Sequence, residues 1–501
     1  MRTGLRVLVA VGVLATAVSV VPGRLVTVSA SDEIRLQLAD LLLAEGRYAE
    51  AIDTYQQVKA APAVPVRARA LSGLVTSMLR VAEFEPALRE ATELRLLVPG
   101  DAAAMSLYGD AVWASGLFLE AEDAFQSAIR LDPSSARAHH GLARSLAGQS
   151  LLQEAEQEAL EALRLAPEEA EFHYTLGAIY ERQRQFDRAA TSILNYVNLL
   201  PNHASSDKAA WARAQVRFLR SFEGKRPFEI EKPDELHVVP FRLVRDKVMV
   251  QGKVNGGAWM DFVVDTGAEQ TVLSLPVARR AGVVPVTYMR SAGVGQIGVR
   301  GLQAGRMDSL QIGTLKVKHV TCLIKNPPLT GLPTQETESF SPLALGLSMI
   351  IDYQKRQIVM GRSLPAEDFD TELPLRMHRL AMVRGTLNGE RPVSFVVDTG
   401  GEVISISHQA AGTLEWDPEQ RRIPLKVYGT SGWDPDAFLL PGVDLKFQQI
   451  HFPNLPVVVL NLQTPSVLLG FQVGGIVGHK FLSRYRVTID LQRSVVRLKD
   501  L

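Results

Sequence analysis

The chain has 501 residues, more than one ordinary hydrophobic core accommodates, so two or three domains are expected. Hydrophobic residues make up 46% and charged residues 22%, the balance of a globular chain and not of a disordered one. Lys plus Arg and Asp plus Glu both number 54, so the chain lacks the basic excess that a nucleic-acid partner favours.

The N-terminus reads as an export signal. Arg2 and Arg6 open it, and Val7 to Val21 forms an apolar core of 15 residues, short of the roughly 20 that span a bilayer. Val28-Ser29-Ala30 supplies a small-x-small cleavage pattern before Ser31. Residues 1–30 are therefore expected to be a signal peptide, leaving an exported chain, periplasmic or secreted, with no stable membrane span after cleavage.

Residues 31–222 are rich in Ala, Leu, Glu and Arg at a helical period. They also repeat. Ala87, Ala121, Ala155 and Ala189 are 34 residues apart, as are Pro99, Pro133, Pro167 and Pro201, and Phe84, Phe118, Leu152 and Phe186. An earlier unit carries Gly46, Tyr48 and Ala51. Small residues such as Gly109 and Gly177 let two helices approach closely, and a proline ends the second helix of a unit. The pattern predicts five helix-turn-helix units and a final helix over 207–222 that covers the end of the stack. His139, His140 and His173 show no metal-ligand spacing and are expected to be satisfied or solvated.

Residues 223–235 read as a linker, after which short alternating strands replace helices. Residues 236–362 form a first all-β lobe, 363–372 an inter-lobe linker and 373–501 a second lobe. Strands are expected near Lys247 to Val254, Met260 to Val264, Val317 to Ile324, Val383 to Leu387, Val393 to Val397 and Leu455 to Leu460. The lone cysteine, Cys322, lies in an apolar alternation and reads as a small buried hydrophobe.

The most informative stretch is Phe262-Val263-Val264-Asp265-Thr266-Gly267, which returns as Phe395-Val396-Val397-Asp398-Thr399-Gly400 at an offset of 133 residues. Asn255-Gly256 and Asn388-Gly389 precede the copies at the same offset. The repeat predicts two related half-domains, each contributing one aspartate. A glycine-containing hairpin follows each motif: Ser291-Ala292-Gly293-Val294-Gly295 in lobe one, and Tyr428-Gly429-Thr430-Ser431-Gly432 in lobe two.

The helical half resembles the tetratricopeptide repeats. The β half resembles the aspartic proteases, and the retroviral-type (retropepsin-like) members best, with both halves in one chain. The resemblance implies a multidomain fold: an all-α solenoid followed by a two-lobed all-β protease-like domain. It implies Asp265 and Asp398 as the catalytic pair, supported by Thr266, Gly267, Thr399 and Gly400, with the hairpins as flaps. It also implies that the threonines hydrogen-bond across the lobe interface.

The chemistry suits those residues. Two close carboxylates cannot both ionise easily, so they hold one proton between them over a range of pH. One then acts as base toward water and the other as acid toward the leaving amine, and no metal or cofactor is required. The expected activity is that of an exported aspartic endopeptidase acting on a peptide or protein, with a possible protein partner on the concave face of the repeats. The repeats alternatively serve as a spacer or as a packing partner for the β half.

Three departures from the pattern stand out. Taking Ala344-Leu345-Gly346 as the counterpart of Ile476-Val477-Gly478 leaves lobe one 6 residues short before its closing strand. Either its packing against lobe two is altered, or the stretch from Asn326 to Pro342 substitutes for the missing piece. Gly401 stands where lobe one has Ala268, which would loosen the turn. The second hairpin carries Trp433. The short lobe one and Gly401 favour an alternative, a non-catalytic envelope adaptor that binds peptide without cutting it. Asp261, Glu269 and Glu402 read as solvated strand ends, with shaping of the pocket as an alternative for Glu402.

Overall fold

The computed structural model describes residues 29–201, 203–295, 298–325, 338–389, 391–414, 422–429 and 431–501. The export signal over 1–28, most of the stretch from Asn326 onward, and Thr430 lie outside the described residues. Ser29 and Ala30 are described; they run directly into the first helix.

Five helix hairpins open the fold: Ala30–Ala44 with Tyr48–Val58, Val64–Arg80 with Phe84–Leu97, Ala102–Ala114 with Phe118–Leu131, Ala136–Gly148 with Leu152–Leu165, and Ala170–Arg182 with Phe186–Leu199. The second helices of units two to five end two residues before Pro99, Pro133, Pro167 and Pro201, as a residue without an N–H requires. Gly109 and Gly177 are needed for close approach: a Cβ there would stand 2.6 Å from Phe125 and 2.7 Å from Ile193. The three histidines are satisfied by Glu158 and Pro133 O, by Thr175, and by Pro167 O.

The last helix, Asp207–Arg220, covers the end of the stack and also packs on the first lobe. Arg217 donates to Thr287 at 3.3 Å, and Arg306 donates to Ser221 O.

The solenoid sits on the β half through the turns inside units three to five. Ala114 O accepts from Gln472 N at 2.7 Å, Gly116 O from Ser394 Oγ, and Gln149 O from Ser494 Oγ. Arg182 donates to Met377 O at 3.2 Å, and Arg184 to Leu345 O. Gly116 has φ +80°, and a Cβ there would meet Gln472 O at 2.7 Å, so only glycine fits this seat. Around it Trp113, Phe118 and Phe471 pack edge to face, and His378 lies tilted against Phe118 at 4.3 Å. The repeats thus pack against both lobes, as the packing-partner reading anticipates.

The two lobes repeat one ladder. Strand Met260–Val264 pairs antiparallel with Lys247–Val254, placing Met249 opposite Val263. Strand Arg391–Val397 pairs antiparallel with Leu380–Leu387, placing Met382 opposite Val396 at the same 133-residue offset. Each motif strand takes a parallel partner on its other side: Val264 opposite Phe340 in lobe one, Val397 opposite Val477 in lobe two.

This register corrects the expected shortening of lobe one. The counterpart of Ile476-Val477 is Ser339-Phe340, not Ala344-Leu345. The latter pair lies in a one-turn 3-10 helix, Leu343–Leu345, which Gly346 closes at φ +64°. That turn occupies the place of the short helix His479–Leu482 in lobe two.

The lobes share a floor. Strands Thr371–His378, Val495–Asp500, Tyr485–Asp490, Ser348–Asp352, Gln357–Gly361 and His237–Pro240 follow one another in one sheet. Ile351 of lobe one stands opposite Val487 of lobe two. A single apolar core runs through both lobes, with Phe262 and Phe395 fully buried. Cys322 belongs to it, and burial pushes its thiol up to about 12.

Candidate active site

Each motif strand ends with its aspartate N–H tied to the parallel neighbour. Asp265 N donates to Phe340 O at 2.9 Å, and Asp398 N to Val477 O at 3.0 Å. The chain then turns, and the two turns meet.

Thr266 and Thr399 lock them. Thr266 N–H donates to Thr399 Oγ1 at 3.1 Å, and Thr399 N–H to Thr266 Oγ1 at 3.1 Å. Each hydroxyl then donates across the interface, Thr266 to Val397 O at 2.6 Å and Thr399 to Val264 O at 2.7 Å. Both side chains are buried, so these four bonds are shielded from water.

The grip brings the two aspartates together: each carboxyl lies against the glycine of the opposite motif, and the Asp398 charge acts on Asp265. Gly267 and Gly400 have a sharper purpose than turn flexibility. A Cβ on Gly267 would stand 2.5 Å from the Asp398 carboxyl carbon, and one on Gly400 2.7 Å from Asp265 Oδ1. Each glycine is the surface against which the opposite carboxyl rests.

Both aspartates are half-buried. Burial, then the Asp398 charge, pushes Asp265 up to about 7. Asp398 is also raised by burial, against the N–H groups of Gly401 and Gly400 that favour its charged form. Gly400 N lies 2.8 Å from Asp398 Oδ1. The pair therefore holds a proton well above the ordinary carboxylate range.

Gly401 does not loosen its turn. Its N–H points at Asp398, and its carbonyl accepts from His479 N at 2.8 Å. A Cβ there would come within 2.9 Å of Asp398 Oδ2.

Glu269 also departs from expectation. It is not a solvated strand end but the lobe-one partner of Arg379 in lobe two, at 2.6 Å. Asp261 pairs with Arg242 at 2.6 Å on the exposed face, and Glu402 is exposed.

Sequence reasoning missed Lys247. It opens a lobe-one strand, yet its ammonium donates to Gly400 O in lobe two and its charge favours ionisation of both aspartates. Lys325 acts on Asp265 in the same sense. The available signal was a break in the duplication: Lys247 stands where the 133-residue offset puts Leu380 in lobe two.

The two hairpins meet at their tips. Strand Val284–Ser291 pairs with Arg300–Ile312, and Ala292, Gly293, Val294 and Gly295 lead into the first tip. Tyr428 and Gly429 pair with Trp433 and Gly432 in the second. Ser431 N donates to Val294 O at 2.9 Å. A Cβ on Gly295 would stand 2.4 Å from Ser431 O, and one on Gly429 2.2 Å from Val294 O. The glycines exist because the tips touch. Trp433 packs against the Tyr428 ring at 5.2 Å and stiffens its hairpin.

Comparison with known families agrees with this division. Residues 250–349 match the gag-polyprotein aspartyl protease family, and residues 383–473 match an aspartyl protease family. Tetratricopeptide-repeat matches cover 10–74, 79–136 and 140–204. Among solved structures, a thermophilic tetratricopeptide protein of Thermus thermophilus is 20% identical over 37% of this chain and 98% of its own, with a TM-score of 0.32. MamA of Desulfovibrio magneticus is 17% identical over 36% of this chain and 98% of its own, at 0.25. YrrB, described as a tetratricopeptide protein with an unusual peptide-binding site, is 17% identical over 36% of this chain and 90% of its own, at 0.24. No curated protein matches the chain. The chain thus carries tetratricopeptide repeats followed by two retropepsin-like aspartyl-protease lobes.

Proposed function

We propose that this chain is an exported aspartic endopeptidase, in which Asp265 and Asp398 share one proton and activate a water against a peptide bond. One observation carries the reading: two raised carboxyls, each resting against the glycine of the opposite motif, held by four buried threonine bonds across the lobe interface. The ionised member takes a proton from water as it attacks the carbonyl carbon. The protonated member hydrogen-bonds the carbonyl oxygen, and the leaving nitrogen receives a proton as the bond breaks. The proton belongs to the pair, so neither residue is assigned a fixed role. The touching hairpins would have to part to admit an extended peptide and close over it.

The features that favoured a non-catalytic adaptor lose their force. Lobe one has its parallel strand Glu338–Phe340, with a 3-10 turn where lobe two has a helix, and the Gly401 N–H favours the charged form of Asp398. Export rests on the apolar segment and small-x-small site of the N-terminal sequence. Processing in a bacterial host, read as the N-terminal sequence of the envelope fraction, tests it.

The test of catalysis is direct. Asp265→Asn and Asp398→Asn should each abolish cleavage of a denatured protein while leaving the melting transition cooperative. Wild-type activity in both variants would reject the dyad.

A further inference from the structure

The first hairpin does not stand alone. Its strands pair from Val284 opposite Arg306 to Ser291 opposite Arg300, and they end the nine-stranded sheet of lobe one. Val284–Ser291 is the edge strand there, and the last helix of the repeats, Asp207–Arg220, packs along it. Ala209, Ala212 and Val216 of the helix share an apolar cluster with Val286, Met289 and Ala304 of the hairpin. Toward the tip, Trp211 lies against Gly301, where a Cβ would stand 3.1 Å from its ring. Gly301 is opposite Arg290, one step from the last pair before the hairpin leaves the ladder. Lower down, Arg217, itself exposed, donates to Thr287 Oγ1 at 3.3 Å, beside a shift of register between Pro285 and Thr287. The repeats therefore hold this hairpin at two heights.

The second hairpin is built more lightly. Its strands Val427–Gly429 and Gly432–Asp434 have three residues each and form a two-stranded sheet of their own. Such a sheet is marginally stable in water. Asp434 is buried at its base and accepts from Asn461 N at 2.8 Å, whereas Tyr428 toward the tip is 47% exposed. The tips touch through Ser431 N and Val294 O at 2.9 Å, so a peptide enters only when a hairpin moves. Moving the first would strip an apolar face from the last helix, which costs the burial that the shared cluster provides. Moving the second needs only a bend above Asp434.

We propose that Trp211 and Arg217 are positioning residues for cleavage: they hold the first hairpin against the repeats as a fixed wall of the cleft, and the second hairpin alone moves to admit the peptide. This rests on the peptidase reading and gives the repeats a part in it. The two lobes are then unequal in motion although they are alike in the grip on the aspartates.

Amide hydrogen exchange on the full-length protein reads each hairpin separately. Without ligand, the amides of Val284–Ser291 should exchange at least about tenfold more slowly than those of Val427–Gly429 and Gly432–Asp434. In Trp211→Ala/Arg217→Gln the first hairpin should lose about tenfold of that protection. The floor strand Tyr485–Asp490 should keep its own, which shows that the variant folds. Equal exchange of the two hairpins in the wild type, or unchanged protection in the double variant, would overturn the proposal; the first comparison needs no variant. On a peptide substrate the double variant should raise KM about tenfold and leave kcat within about twofold, because a loosened hairpin lowers the fraction of competent protein and not the chemistry of the bound complex. Loss of kcat at unchanged KM would reject the positioning role. If the wild type cleaves no peptide, the peptidase reading fails by itself, and the exchange comparison still decides which hairpin the repeats hold.

Discussion

Lobe one and lobe two reach the same grip with different supports. In lobe two the short helix His479–Leu482 follows the parallel strand, and its first N–H groups bond Gly401 O and Glu402 O at 2.8 and 2.9 Å. In lobe one a single 3-10 turn stands there. Lobe one buries Glu338, whose carboxylate takes both the N–H and the hydroxyl of Ser274. Lobe one also sends Lys247 into the other lobe's catalytic loop, where lobe two has Leu380. The symmetric parts fix where the carboxyls sit. Of the asymmetric parts, Lys247 draws the pair toward ionisation, against the burial that raises both.

The largest expected effect comes from breaking the symmetric part. Gly267→Ala would drive a Cβ into the Asp398 carboxyl, and Gly400→Ala into that of Asp265. Displacing one carboxyl by a fraction of an ångström or more spoils the shared proton and the water site. Each variant should lose about 100-fold or more in kcat/KM. Comparable losses would show that the lobes are equivalent at this level; a loss confined to one would show that they are not.

The next effect tests whether the grip is as even as its distances. Thr266→Val removes the donor to Val397 O and the acceptor for Thr399 N–H; Thr399→Val does the same in mirror image. A buried N–H left unpaired costs about 1–3 kcal/mol. Both variants should therefore unfold at lower denaturant by similar amounts with an unchanged m-value. A near-silent variant would show that one lobe supplies a substitute partner.

Most of the symmetric part was legible in the sequence, because a repeated apolar strand running into Asp-Thr-Gly leaves a fixed offset to read. The 34-residue spacing gave the helix hairpins for the same reason. What could not be read is what depends on pairing. A parallel partner only three residues long, Glu338–Phe340, has no periodicity to announce it, so the apolar Ala344-Leu345-Gly346 drew the alignment away from it. The Glu269–Arg379 pair joins residues 110 apart, and the Lys247 contact joins residues 153 apart; composition near either partner gives no hint of the other. The seating of the repeats on both lobes was beyond pattern reading for the same reason: Gly116 looks like any turn glycine until Gln472 O is found against it.

The shared proton also has a signature in stability. Asp265 keeps its proton up to about 7 when folded, but only to about 3.8 when unfolded. Between those values the folded state binds more protons, so stability falls as pH rises from about 4 to about 7, by at most about 1.4 kcal/mol per pH unit. Asp265→Asn removes that contribution. The variant should match wild type near pH 4 and exceed it near pH 7, with a flatter dependence of melting temperature on pH between them. A wild-type slope of the opposite sign would mean that the pair is held ionised instead.

The smallest effect isolates the asymmetry. Lys247 opposes burial: its charge draws both aspartates toward ionisation, although not enough to bring Asp265 back to the ordinary range. Lys247→Met keeps the length of the side chain, and the Leu380 position shows that the ladder accepts an apolar residue there. Without the cation the pair should hold its proton more tightly. The alkaline limb of the activity profile, set by loss of that proton, should then move to higher pH. Lys247→Arg should leave it near the wild-type position. Loss of the bond to Gly400 O would lower kcat in Lys247→Met at every pH, but a uniform loss does not move a limb. Displacement of the limb therefore separates the charge of Lys247 from its hydrogen bond, and a limb that stays put or moves toward acid would assign Lys247 to holding the loop alone.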